Sequence, residues 1–179
     1  YDDLDLLIIT KSNRLWLTRT ILLFFSLLKG KKSLFRTQKI SSLPADAWCF
    51  NLWFEENDLQ IPLNRHNLYS AYEVFQVDWL FDRDGLEQRL MLANEWMKKY
   101  LATVWEPKIT SSANKIKSQN SLLDIINRAI FGLERQHLSA KTNIPQNNLT
   151  ESQAWMHDNN SYLKYLAGYK KIRDKAMTG

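Results

Sequence analysis

Two carboxylates set two residues apart, Asp3 and Asp5, stand at the head of an apolar run, Leu6-Leu7-Ile8-Ile9. The run reads as a strand over residues 3–10. Alternate side chains of a strand share a face, so both acids point the same way. Two like charges held that close repel unless a cation sits between them. Mg²⁺ is the natural occupant, being a hard ion that takes one or two carboxylates together with substrate phosphates. Lys11 and Arg14, just before or within the first turn of the following helix, are candidate contacts for such phosphates, with a solvent-facing helix start as the alternative. An Asp-x-Asp pair alone is a short motif, and strand ends often carry solvated acids, so its meaning rests on context.

The elements that must position these acids can be read from periodicity. After the first strand, Ser12 or Asn13 is expected to cap a helix running to about Lys29, with Gly30 at its C-terminal end. That helix is apolar nearly all round, which predicts cover on more than one side. A basic loop, residues 31–39, leads to a second strand, Trp48–Phe54. Strict alternation puts Trp48, Phe50, Leu52 and Phe54 on one face and Cys49, Asn51 and Trp53 on the other. Further on, helices are expected over Asn67–Gln76, Leu86–Leu101, Ser121–Leu138 and Ser161–Lys175. Residues 82–85 form a turn, residues 106–120 a mobile linker, and the Asn-rich stretch 142–148 a loop. The predicted fold class is α/β (α+β): a small mixed sheet with packed helices over residues 1–65, followed by a mainly helical region over 66–179.

Composition bounds the function. Of 179 residues, 45% are hydrophobic and 24% charged, with five glycines and four prolines, which is globular rather than disordered. The single cysteine, Cys49, excludes an internal disulfide and a multi-cysteine zinc site, and reads as a buried, reduced thiol in a cytoplasmic protein. The apolar stretch Leu15–Leu28 is too short to span a bilayer and is interrupted by Arg19, so no membrane partner is expected. The net charge of +5 is unevenly spread: residues 6–40 hold eight basic side chains and no acid, and residues 41–60 hold four acids and no base. Such a juxtaposition suits a site that handles a polyphosphate with metal ions, and equally a set of solvated lysines. The three histidines show no metal spacing, and most of the seven tryptophans are expected in the core. Neither a Gly-x-Ser-x-Gly turn nor a Gly-rich Lys-Ser/Thr phosphate loop is present.

The run Asp2-Asp3-Leu4-Asp5-Leu6-Leu7-Ile8-Ile9-Thr10 and the segment Ser12-Asn13-Arg14-Leu15-Trp16-Leu17-Thr18-Arg19 resemble a bacterial branch of the DNA polymerase β-like nucleotidyltransferases. So do Cys49-Phe50-Asn51-Leu52-Trp53-Phe54, Leu68-Tyr69-Ser70-Ala71-Tyr72-Glu73, Phe81-Asp82-Arg83-Asp84-Gly85 and Ala93-Asn94-Glu95-Trp96. The resemblance covers roughly the first hundred residues and rests on the order and spacing of short motifs. It implies a metal-dependent nucleotidyltransferase in which Asp3 and Asp5 hold two Mg²⁺ ions. Such an enzyme moves a nucleoside monophosphate from an NTP to an acceptor. Two departures stand out. The Gly-Ser turn that should precede the acids is missing, because the sequence starts at Tyr1, and truncation upstream is the expectation. The position that should carry a third carboxylate is Asn51, a weak Mg²⁺ ligand that cannot act as a base; Glu55 is a possible substitute. The alternative reading is a non-catalytic binding or sensor module of the same fold. A third is a nucleic-acid-binding protein that uses the basic stretch 29–39 and the closing helix.

Overall fold

The computed structural model describes residues 4–29, 48–105, 121–141, 144–156 and 160–178. Asp3, Gly30, the basic loop 31–39 and the expected linker 106–120 lie outside them. In chain order the described elements are β1 (Leu4–Thr10), α1 (Leu15–Leu28), β2 (Trp48–Glu55), α2 (Leu68–Phe75), α3 (Leu86–Ala93), α4 (Leu122–Lys141), β3 (Gln153–Trp155) and α5 (Asn160–Thr178). The sheet order is β1-β2-β3, with β1 parallel to β2 and β3 antiparallel to it. A mixed sheet with packed helices is therefore observed. β3 has no counterpart in the sequence reading: three residues are too few to show an alternation.

Alternation also failed in β2. The register pairs Leu6 with Phe50 but Leu7 with Leu52, leaving Asn51 as an extra residue between them. This bulge shifts the phase of the strand by one, so the single aromatic face expected from the sequence is split. Leu52 and Phe54 join Leu7 and Ile9 in one core with Ile61, Ala71, Val74, Leu90 and Met97. Phe50 and Trp53 join Ile8 in the other, with Leu15, Trp16, Leu22, Ile130, Phe131 and Leu138. Each face of the sheet thus has its own apolar layer, the first covered by α2 and α3 and the second by α1 and α4.

The helix expected over residues 86–101 breaks at Asn94 and continues as a 3₁₀ segment, Glu95–Lys99. The reason is the polar role of Asn94, which is fully buried. Its Oδ1 accepts from the Ile61 amide at 2.8 Å and from the Trp96 indole, while its Nδ2 donates to the Leu59 and Leu90 carbonyls. A buried amide with all these partners satisfies backbone groups that would otherwise be orphaned, at the cost of helix continuity. His66 has a comparable structural role, stacking on Trp96 with ring centroids 4.1 Å apart and hydrogen bonding to the Ile61 carbonyl.

α1 also departs from expectation. Leu15, Trp16, Arg19 and Ser26 are buried, whereas Ile21, Phe24, Phe25, Leu27 and Leu28 are exposed, so it is covered on one side only. Arg19 pairs with Glu134 of α4, and Thr20 donates to the same carboxylate at 2.9 Å. Burial lowers the Arg19 pKa to about 10. Removing one partner of a buried pair strands the other charge, whereas replacing both with apolar groups removes the desolvation cost along with the attraction. Glu134→Leu should therefore lose about 3–5 kcal/mol of stability, and the double variant Arg19→Met/Glu134→Leu should recover most of it. Urea unfolding of the wild type, both single variants and the double variant measures the difference; additive losses would contradict it.

Candidate functional site

Asp5 lies near the start of β1, exposed, opposite Cys49 in the register. The bulge places Asn51 beside it: the Asn51 Nδ2 donates to the Asp5 carboxylate, and the Cys49 thiol donates to the Asn51 Oδ1 at 3.2 Å. Asn51 is itself buried, and its carbonyl accepts the Met156 amide at 2.9 Å, so strand pairing holds the backbone from which its side chain projects. The position at which the resemblance called for a third carboxylate thus supplies a hydrogen-bond donor to Asp5. Cys49 is only half-buried.

Asp3 lies outside the described residues, and of the expected pair only Asp5 is described, with Asn51 and Cys49 beside it. Among the described residues there is no group of three or more His, Cys, Asp or Glu side chains able to hold a metal ion. Asn51 gives its N–H to Asp5 instead of presenting an oxygen alongside it. Glu55, the possible substitute, is turned elsewhere.

Glu55 is 2% exposed at the end of β2, and its carboxylate meets the start of α1. It accepts the amides of Asn13 at 2.8 Å, Arg14 at 3.0 Å and Leu15 at 3.2 Å. The Asn127 side chain of α4 accepts a further one, from Leu17, at 3.0 Å. The local cap expected from Ser12 or Asn13 is absent: Arg14 occupies the cap position and makes no side-chain cap bond. A carboxylate from a neighbouring strand replaces it, adding a charge that favours the positive end of the helix dipole. These amides are therefore engaged by protein side chains, not held open for a phosphate.

Lys11 and Arg14 are engaged as well. The Lys11 ammonium lies 3.1 Å from Glu56 and 3.7 Å from Asp84. Arg14 pairs with Asp124 and donates to the Ser121 hydroxyl at 3.0 Å. The hydrogen bond from Arg14, and next the Ser121 amide, hold the Asp124 carboxyl below the usual carboxylate range. Asp5 and Lys11 stand at opposite ends of β1, six residues apart, which in an extended strand is about 20 Å. The structure brings Asp5 to Asn51 and Cys49, and it sets Lys11 and Arg14 apart from them.

Sequence reasoning missed Asp124, Asn127 and Glu134 as partners of α1. They are 110, 110 and 115 residues from the groups they hold, and their spacing on α4 reads as an ordinary polar face. No family model, curated protein or solved structure matches this chain.

Burial is the largest influence on Glu55 and raises its pKa, opposed by the amide hydrogen bonds. For an acid whose folded pKa is raised, the associated stability is full below the unfolded value and is lost as pH rises through the folded one. Glu55→Gln removes this dependence. The stability of the wild type relative to Glu55→Gln should accordingly decline as pH is raised from about 4.5. Glu55→Ala, which strips the amides of their acceptor, should cost about 2–4 kcal/mol throughout. Chemical denaturation of the three proteins over a pH series provides the check, and a pH-independent difference for Glu55→Gln would refute the first expectation.

Proposed function

We propose that the chain belongs to a nucleotidyltransferase-type protein that binds a nucleoside triphosphate at the Asp3/Asp5 end of β1 and passes its nucleoside monophosphate to an acceptor. The contact between Asn51 and Asp5 carries this reading. A mixed sheet with a parallel pair and a carboxylate on its first strand is what the resemblance implies, and the second strand presents Asn51 to that carboxylate where the resemblance implies a third acid. The bulge at Asn51 supports it further, since a bulge re-aims one side chain at the cost of regular pairing and is common beside functional sites.

A second reading is favoured by the identity of residue 51. An amide in place of a carboxylate cannot take a proton from an acceptor hydroxyl, and here it also donates to the one described acid of the pair. On that reading the chain binds nucleotide as a sensor or binding module, without transfer.

Calorimetric titration of ATP with and without Mg²⁺ separates the possibilities. The transferase reading expects Mg²⁺-dependent binding that Asp5→Asn abolishes and that Asn51→Asp strengthens by about tenfold, since an added carboxylate supplies a hard oxygen ligand. Binding that neither substitution alters, or no binding at all, would remove nucleotide recognition from this end of β1. Binding with no pyrophosphate release over a panel of acceptor hydroxyls would favour the module.

A further inference from the structure

We draw no further inference here: the strongest candidate, the exposed apolar surface of α1 and α4 that presents Phe24, Phe25, Leu122 and Leu133, carries nothing because no described residue shows what covers it.

Discussion

The Glu55 carboxylate is the joint on which the fold turns. It belongs to β2, is buried, and receives three consecutive amides at the start of α1, so one side chain ties the second strand to the helix that links it to the first. Its ladder partner in the register is Thr10, the last residue of β1. The neighbouring Glu56 amide donates to the Thr10 carbonyl at 2.9 Å, and the Glu56 side chain holds Lys11. The chain must leave β1, turn and enter α1 within a few residues, with Asn13 at a positive φ of 58°. Such a turn leaves helix amides unpaired, and in a buried setting each unpaired donor costs about 1–3 kcal/mol. A charged acceptor from the adjacent strand offsets that cost and also bears its own desolvation penalty, which is why its pKa rises.

α4 completes what Glu55 begins. Asp124 takes the Arg14 guanidinium, Asn127 the Leu17 amide and Glu134 the Arg19 guanidinium, so the polar residues of α4 follow one flank of α1. Polar contacts specify register where apolar contacts alone would let two helices slide. Ion pairs thus flank the apolar core that the two helices share, in which Trp16 packs on Phe131 with ring centroids 5.2 Å apart.

At the other end of β1 a single inserted residue has two effects. The bulge at Asn51 divides the aromatic residues of β2 between two cores, and it brings the Asn51 amide against Asp5. One backbone irregularity thereby links packing on both faces to the polar cluster at the strand start. The far side of the sheet is steadied by a different set of buried amides. Asn94 holds the segment 59–61, and the Gln153 side chain donates to the Asp58 and Gln60 carbonyls. Arg65 lies 4.4 Å over the Trp155 ring, and burial lowers its pKa to about 10.

Local chemistry determined much of this in advance. The apolar run after Asp5 specified β1, Asn67 capped α2 as its side chain predicts, and the Asp82–Gly85 turn formed where small and polar residues demand it. Periods of two and 3.6 are written into neighbouring residues, so these elements needed no tertiary information. A charge inside an apolar helix must either pair with an acid or reach over the helix edge, and for Arg19 only the fold decided between these and supplied Glu134. What only the folded chain decided depends on residues distant in sequence. These are the bulge that reversed the faces of β2, the acceptance by Glu55 of amides from a helix start about forty residues earlier, the break at Asn94, and the capture of Arg14 and Arg19 by α4. Periodicity cannot register such choices, since each is a competition for hydrogen bonds among groups that meet only once the sheet and helices have assembled.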